Sequence, residues 1–253
     1  MSVKLTHVVA AVILNERGEF LLSSRPEGKA YAGFWEFAGG KVEAGETELA
    51  ALQRELHEEL GIQIAAATPW LTKTYRYEHA HVYLRFFRVL PQQWQGEIQC
   101  REQQQYSWQQ AGRFDVEPML PANGPILRAL SLPWLLKGRP ESGWRGQNGV
   151  GEVWMAFDVA ADVVLHTNMH LPTVQTETLH LLPWSVSAQE CAGDGWWWRP
   201  VALSDIETLC VQLRKRPVDM PMVVLLDEHL MNQASILQDL GVHVAVTMAE
   251  DTA

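Results

Sequence analysis

Residues 40–62 read GKVEAGETELAALQRELHEELGI, and this stretch decides the fold of the first half of the chain. Five residues separate Gly40 from Glu46, and seven more separate Glu46 from the run REL at 54–56. Leucines at positions 49, 52, 56 and 60 recur every three or four residues, which is the spacing of one helix face. The sequence therefore predicts a helix over 47–60 that packs its leucines on a core and is closed by Gly61.

The neighbouring face of this helix is acidic. Glu55 lies three and four residues before Glu58 and Glu59, so their carboxylates repel one another at about 0.2 to 0.5 kcal/mol per pair. A divalent cation removes this conflict, and carboxylate oxygens suit Mg2+ or Mn2+. A solvated acidic face is the alternative interpretation, but it explains neither the glycines before the helix nor Glu46. The pattern therefore predicts a metal site, where Gly40 lets the backbone approach the ion closely.

These residues resemble the box of the Nudix hydrolases, a loop, helix and loop found in enzymes that use Mg2+ to cleave a nucleoside diphosphate linked to another group. The resemblance implies an α/β fold of the α+β type, with a mixed sheet between helices, and Mg2+ as cofactor with Mn2+ as a substitute. The metal ligands that it implies are Gly40, through its carbonyl, Glu55, Glu58 and Glu59.

The resemblance also implies roles for the other fixed residues of the box. Arg54 and Glu46 are expected to orient the acidic cluster through charge-assisted hydrogen bonds. Glu55 is in addition a candidate general base. A second candidate is Glu102, because MutT-type members of the family carry a glutamate after a basic residue at this point, and Glu102 follows Arg101. Glu102 is therefore expected to act on the metal-bound waters, as a ligand or as the base.

Four residues are expected to contact the substrate. Arg25 by itself reads as a surface charge, but MutT-type members carry a phosphate-binding arginine at this point. Phe37 alternates with Glu36 as in a strand, and most such aromatics belong to a core; Phe37 and Lys41 are nevertheless candidate contacts. Asn123 lies where MutT-type members read an oxidised guanine, and its amide offers both a donor and an acceptor. A turn or helix cap is the alternative for Asn123.

Strand patterns surround the box. Residues 6–28 read as two strands joined by a turn at 15–18, and residues 68–90 read as two more strands rich in aromatic and β-branched side chains. His79 and His81 are interpreted as hairpin residues rather than metal ligands. An apolar helix is predicted to start near Pro125.

The length of 253 residues allows two ordinary domains, and the Nudix fold needs about half of it. Up to residue 133 there are 13 basic and 15 acidic residues, whereas the remainder has 7 basic and 15 acidic ones. This balance excludes a long nucleic-acid partner but allows a single metal-bound nucleotide. Three separated cysteines indicate neither disulfides nor zinc, and no apolar run predicts a membrane span or targeting segment, so a cytoplasmic protein is expected.

The second half predicts a smaller α/β domain. Five glycines over 136–152 read as a linker, so the expected organisation is a Nudix domain at 1–133, a glycine-rich linker at 134–152 and a small, non-catalytic domain at 153–253. Strands are predicted in 153–167, a helix over 204–216, and a closing strand, helix and strand over 221–248. His166 and His170 are interpreted as loop residues rather than metal ligands.

The closing unit faintly resembles thiamine-phosphate-synthase-like barrels that follow some Nudix domains. Those barrels have a phosphate-binding glycine pair where this chain has Leu225-Leu226-Asp227, and a full (β/α)8 barrel needs about 200 residues or more. A shrunken relic is therefore expected. Trp196, Trp197 and Trp198 cannot all face one core, so an exposed tryptophan surface and self-association through it are also expected.

The expected activity is hydrolysis of a nucleoside triphosphate to a nucleoside monophosphate and pyrophosphate, with 8-oxo-dGTP as the substrate removed from the nucleotide pool. Two alternatives remain open at this point. One is a Nudix hydrolase of a nucleotide sugar or dinucleotide, and the other is a nucleotide-sensing module without hydrolysis. Nudix-like binding modules usually lose acids of the box, and here none is missing.

Overall fold

A computed structural model describes residues 5–78, 80–168, 171, 178–184, 194–215 and 219–248. The chain divides into two compact units, Met1–Leu127 and Arg128–Ala253. Within the described residues, no helix is both long and apolar enough to cross a membrane. The first unit contains β1 (Leu5–Ile13), β2 (Phe20–Ser24), β3 (Trp35–Glu36), β4 (Gly39–Lys41), α1 (Glu48–Leu60), β5 (Gln63–Ile64), β6 (Thr68–Arg76), β7 (His81–Val89), β8 (Trp94–Gln95) and β9 (Tyr106–Gln109).

The main sheet of the first unit is mixed and has the order β4-β1-β7-β6. Strands β1 and β7 run parallel over nine residue pairs, whereas β4 and β6 pair antiparallel at the two edges. A smaller antiparallel sheet has the order β3-β2-β9, and β5 pairs with β8. The predicted strands around the box and the mixed sheet of an α+β fold are thus confirmed.

Helix α1 packs on this framework through a stripe that is fully buried at Ala51, Leu52, Leu56 and Leu60. Leu49, in the first turn, is 37% exposed, so the buried face is shorter at its start than the leucine spacing predicts. Thr47 accepts a hydrogen bond from the Ala50 amide and begins the helix. At the other end Gly61 takes the left-handed φ of 72° and donates to the His57 carbonyl, as the sequence predicts.

The boundary between the units falls within α2 (Gly124–Leu130), the helix predicted near Pro125. The second unit is a closed barrel of eight strands in chain order. Its elements are β10 (Leu135–Arg139), β11 (Gly143–Gln147), β12 (Glu152–Phe157), β13 (Val163–Leu165), β14 (Leu179–Pro183), β15 (Gly195–Trp198), α3 (Leu203–Lys215), β16 (Met222–Asp227), α4 (Ala234–Asp239) and β17 (His243–Thr247).

The prediction of a linker at 134–152 is wrong. Strands β10 and β11 form a hairpin in this range, and β12 follows them. The glycines serve close packing rather than flexibility. A Cβ on Gly146 would lie 2.7 Å from the Leu135 carbonyl oxygen, and Gly143 has a left-handed φ of 77°. The hairpin also explains how eight strands close in about half the usual length, since an antiparallel turn needs far fewer residues than a helical crossover.

The smaller size predicted for the second domain needs correction, because the second unit, which is β-rich, is nearly as long as the first. Strands β12 to β17 run parallel, and β17 closes on β10. Alternate residues of β16 point to opposite sides of the sheet. Val223 and Leu225 belong to the hydrophobic cluster that includes Trp144 and Met155, whereas Val224 belongs to a second cluster that includes residues of α3. The strand, helix and strand predicted at the end of the chain are confirmed.

The tryptophan run follows the same alternation. Trp196 is 3% exposed and packs in the cluster with α3, with Trp198 half-buried beside it. Trp197 packs against Phe157 and donates its indole N–H to the His166 carbonyl. None of the three is exposed, so the premise for self-association through a tryptophan surface is wrong.

Candidate active site

Arg54 is the centre of the acidic box. Its guanidinium donates to both carboxylate oxygens of Glu46, each at 3.0 Å, and to Glu55 at 2.8 Å and Glu58 at 3.3 Å. A further N–H reaches the Lys41 carbonyl at 3.0 Å. The Glu46 and Glu55 hydrogen bonds raise the pKa of Arg54, and the Arg54 bond lowers the pKa of Glu46. The contacts predicted for Arg54 and Glu46 are therefore present, while their roles in catalysis stay predictions.

The glycine strand β4 lies directly against the acids of α1. A Cβ on Gly40 would occupy the position of the Glu55 carboxyl group, and the Gly39 amide donates to Glu59 at 3.2 Å. Only glycine permits this approach. The backbone of β4 and the carboxylates of α1 thus form one surface. The carbonyl of Gly40 can join these carboxylates as a ligand only if the two segments lie this close together.

Glu59 is the most constrained carboxylate of the box. It lies seven residues after the buried Leu52, about two helical turns, and is 14% exposed. Burial and the negative charge of Glu36 raise the pKa of Glu59 to about 8, although Lys29 and the Gly39 amide act in the opposite direction. A buried carboxylate beside others of the same charge is an environment that a bound cation would stabilise.

Glu102 lies at the same site, because its loop is tied to the end of α1. Arg101 donates to the His57 carbonyl at 2.9 Å, and Gln104 donates to the Glu59 carbonyl at 2.7 Å. Gln104 also accepts from the Glu102 amide. The structure therefore places Glu102 near the box, as predicted, although it lies 43 positions after Glu59 in the chain.

Lys29 joins these two acids, and the sequence analysis missed it. Its ammonium nitrogen is 2.5 Å from a Glu102 oxygen and 3.9 Å from a Glu59 oxygen. Burial alone would lower the pKa of Lys29, but the Glu102 hydrogen bond and the charges of Glu102 and Glu59 raise it. A lone lysine in a loop carries no sequence signal, so only the fold reveals this contact.

Arg25 is paired with Glu36, a second residue that the sequence analysis did not assign. The Arg25 guanidinium donates to Glu36 at 2.5 Å and to the Ala30 carbonyl at 2.6 Å. Burial raises the pKa of Glu36, against the effect of Arg25. The alternation of Trp35, Glu36 and Phe37 could have indicated Glu36, since it points away from the face that Phe37 occupies. Phosphate binding by Arg25 stays a prediction.

The structure does not support Phe37 as a substrate contact. Its ring is 4% exposed and packs between Phe20 and Phe86, because strand alternation turns it into the core. Lys41 is exposed on β4 beside the box, which is compatible with its prediction. Asn123 is 3% exposed and donates to the Trp35 carbonyl at 3.2 Å, one residue from Glu36. Asn123 directly precedes α2, and both a capping role and base recognition by Asn123 stay predictions.

An aromatic group lies beside Glu36. Tyr31 contacts Phe34 and Tyr77, with ring centroids 5.3 and 5.6 Å apart, and Tyr75 lies 4.6 Å from Tyr77. Burial and the Glu36 charge raise the pKa of Tyr77 to about 12. Glu36 affects the pKa of both Glu59 and Tyr77, so the aromatic group and the acidic cluster belong to one region.

The donor set matches Mg2+ or Mn2+, since it consists of carboxylates with a glycine strand that leaves room for the backbone. In the part of the chain that the structure describes, no three acidic, histidine or cysteine side chains are already arranged so that they could hold a metal ion. Cationic side chains pair with the acids of the site. Arg54 engages Glu55 and Glu58, and Lys29 engages Glu59 and Glu102. A metal held by these acids would therefore share them with these cationic partners or displace them.

Comparison with known proteins identifies the family. A sequence model of the NUDIX domain matches residues 4–130, which is half of the chain. The chain belongs to the Nudix family. An 8-oxo-dGTP diphosphatase of Haemophilus influenzae is 38% identical over 51% of this chain and 94% of its own, and a CTP pyrophosphohydrolase of Escherichia coli is 36% identical over 50% and 91%.

Among solved structures, a MutT described from Aliivibrio salmonicida and Vibrio cholerae is 33% identical, covering 50% of this chain and 97% of its own, with a TM-score of 0.41. As a member of the Nudix family, this protein is a hydrolase acting on pyrophosphate bonds. The resemblance of the second unit to thiamine-phosphate synthases stays a prediction.

Two of the four histidines that the sequence singled out, His81 and His166, lie in described segments. His81 begins β7 and is a hairpin residue as predicted, and His166 lies just after the end of β13, in agreement with the predicted loop. His166 also contacts His180 at 2.9 Å between ring nitrogens, and this pair lies in the second unit. His79 and His170 lie outside the described residues.

Proposed function

We propose that this protein is a Mg2+-dependent nucleoside triphosphate pyrophosphohydrolase that prefers 8-oxo-dGTP and releases a nucleoside monophosphate and pyrophosphate. The observation that carries the proposal is the box geometry, in which Arg54 gathers Glu46, Glu55 and Glu58 on the glycine strand. The 8-oxo-dGTP diphosphatases of Haemophilus influenzae and Escherichia coli are covered over 94% and 97% of their length by the half of this chain that holds the box. Removal of an oxidised nucleotide from the precursor pool is the corresponding cellular role.

The proposed metal ligands are Glu55, Glu58, Glu59, Glu102 and a carbonyl at Gly40. Bound Mg2+, or Mn2+ in its place, would lower the pKa of water and stabilise charge on the phosphate oxygens. Arg54 fixes the orientation of the ligands that it contacts. Glu55 or Glu102 accepts the proton of the attacking water, since each carboxylate lies at the acidic cluster.

The nucleotide is proposed to lie between the box and the aromatic group. Arg25 provides a guanidinium for phosphate oxygens, in exchange for its bond to Glu36. Tyr31 and Tyr77 provide ring faces, and base stacking on an aromatic contributes about 1 to 3 kcal/mol. Asn123 provides an amide to the edge of the base. A single nucleotide, rather than a nucleic-acid polymer, fits this arrangement.

The test is a panel of substrates with Mg2+, in which pyrophosphate and phosphate release are scored separately. We expect 8-oxo-dGTP to give the highest kcat/KM and pyrophosphate to be the only inorganic product. The Glu59→Gln variant is the control for contaminating activity. Release of phosphate from nucleotides, or turnover of dGTP equal to that of 8-oxo-dGTP, would contradict the proposal.

CTP is a second candidate substrate, because one relative of similar identity is a CTP pyrophosphohydrolase. The same panel separates the two, since CTP lacks the purine edge that Asn123 is proposed to read. A nucleotide sugar or dinucleotide is the remaining alternative. It would give a nucleoside monophosphate and a phosphorylated remainder instead of pyrophosphate.

A further inference from the structure

Lys29 lies in the loop between β2 and β3, and its ammonium reaches acids from two other segments. Glu59 comes from the last turn of α1, and Glu102 comes from the loop before β9. The nitrogen is 2.5 Å from Glu102 and 3.9 Å from Glu59. These are two of the carboxylates proposed as metal ligands, so one side chain makes ion pairs with both.

We propose that Lys29 and the divalent cation compete for the carboxylates of Glu59 and Glu102. This inference rests on the proposed function, since it takes both residues as metal ligands. A lysine ammonium is a point charge on a flexible stem, so it can leave its partners without disturbing the backbone. Competition of this kind sets the metal concentration at which the enzyme loads.

Arg54 cannot play the same part, although it also pairs with proposed ligands. Its guanidinium makes bonds to three carboxylates and to the Lys41 carbonyl, which fix it in place. Lys29, in contrast, is 44% exposed, and Glu102 is 40% exposed. The Lys29 pair is therefore the exchangeable one.

The charges around Lys29 show why a positively charged side chain is needed at this position. Glu36, Glu59 and Glu102 act on the same ammonium, and Arg25 engages only Glu36 among them. Glu59 is largely buried, so its charge is screened little by solvent. An exposed ion pair adds little to stability, so balancing the charge of Glu102, and of Glu59 once it is ionised, is a better account of Lys29 than holding the fold.

The experiment measures Mn2+ binding to the full-length protein without nucleotide, by the electron paramagnetic resonance signal of free Mn2+. Lys29→Met removes the charge and keeps the stem, Lys29→Arg restores a cation, and Lys137→Met removes an exposed lysine on β10. We expect Lys29→Met to lower the Kd for Mn2+ about fivefold or more, because the competing pair is lost. Lys29→Arg should return the Kd toward the wild-type value, and Lys137→Met should leave it unchanged.

Melting curves give a second readout. The rise in Tm on adding a fixed Mn2+ concentration should be larger for Lys29→Met than for the wild type, because tighter binding stabilises the folded state more. An unchanged or raised Kd in a folded Lys29→Met variant would overturn the inference, and a raised Kd would show that Lys29 prepares the ligands instead.

Glu59→Gln separates this inference from the proposed function. If Glu59→Gln weakens Mn2+ binding and Lys29→Met does not strengthen it, only the role of Lys29 is wrong. If Glu59→Gln leaves the Kd for Mn2+ unchanged, the metal site itself is misassigned, and both proposals fail.

Discussion

At the scale of single residues, the four acids assigned to the site within the box, Glu46, Glu55, Glu58 and Glu59, each have a cationic or backbone partner. Arg54 contacts Glu46, Glu55 and Glu58, whereas Lys29 and the Gly39 amide contact Glu59. These contacts offset the repulsion that the sequence predicts along α1. They also mean that substitutions of the acids change both the metal site and the internal ion pairs.

Glu59→Gln should lower kcat by at least about 100-fold while the protein stays folded, because a ligand charge is lost and repulsion within the cluster is relieved. Steady-state kinetics with Mg2+ and a far-ultraviolet circular dichroism spectrum check this. Glu97→Gln, at an exposed position, is the matched control. Near-wild-type turnover in folded Glu59→Gln would remove Glu59 from the proposed ligands.

The pKa of Glu59 predicts how stability depends on pH in the metal-free protein. The ordinary value is 4.5 and the folded value is about 8, so between them the folded protein holds a proton that the unfolded chain has lost. The contribution of Glu59 to the free energy of unfolding therefore falls as pH rises through this window, and it is constant on either side. Urea denaturation with EDTA at several pH values measures the effect. Parallel pH profiles for the wild type and Glu59→Gln would contradict it.

Asn123→Ala should reduce the preference for 8-oxo-dGTP over dGTP, because the enzyme would bind the oxidised substrate less tightly. The expected cost is about 1 to 3 kcal/mol for an unmatched base edge. The measurement is the ratio of kcat/KM for the two nucleotides. Asn123 also donates to the Trp35 carbonyl, so a lower Tm is expected as well. A lower Tm with an unchanged ratio would mean that Asn123 is structural and that the base is read elsewhere.

At the scale of elements, α1 carries the site because both of its ends are fixed. Thr47 caps the start, Gly61 closes the end, and Arg101 binds the His57 carbonyl in the last turn. The Arg101 contact is also what brings the loop with Glu102 to the helix. Local capping and the catalytic arrangement therefore depend on the same few residues.

Thr47→Ala should lower the free energy of unfolding by about 1 kcal/mol, because the Ala50 amide loses its acceptor. Thr47→Ser retains the hydroxyl and should stay close to the wild type. Chemical denaturation of the two variants gives the comparison. Equal losses in both would show that packing of the Thr47 methyl group, rather than the cap, is responsible.

At the scale of the whole molecule, the proposed chemistry lies in one of the two units. Every proposed metal or substrate residue falls before residue 128, and the curated relatives are covered at up to 97% of their length by half of this chain. Most of the net negative charge lies in residues 134–253, which have 7 basic and 15 acidic residues against 13 and 15 in residues 1–133. We therefore infer that it contributes no catalytic group.

A fragment of residues 1–133 should retain a kcat/KM similar to that of the full chain, because it ends before β10 and keeps α2. Its Tm is expected to be lower, since any apolar surface uncovered costs about 25 cal/mol per Å2. Kinetics and melting curves on both proteins decide the matter. A folded, soluble fragment that has lost activity or base preference would show that the barrel helps to build the site.

The sequence by itself determined the elements whose signals are local. Leucine spacing and caps predict α1, β-branched and aromatic runs predict β1, β2, β6 and β7, and the fixed spacing from Gly40 to Gly61 identifies the acids. Alternation also predicts strands near the end of the chain. These signals suffice because each depends on residues within about two turns or one strand of each other.

Tertiary structure alone decided the features that join distant segments. Lys29 meets Glu102 across 73 residues, and β10 pairs with β17 across more than 100, so no local pattern contains either contact. The glycines of 138–146 read as a linker because the sequence shows only that these residues lack side chains. The fold shows that the backbone of a neighbouring strand occupies the space that a side chain would need. The physical reason is the same in each case. Pairing between strands and between charges depends on distance in space, and the separation of two residues along the chain does not give this distance.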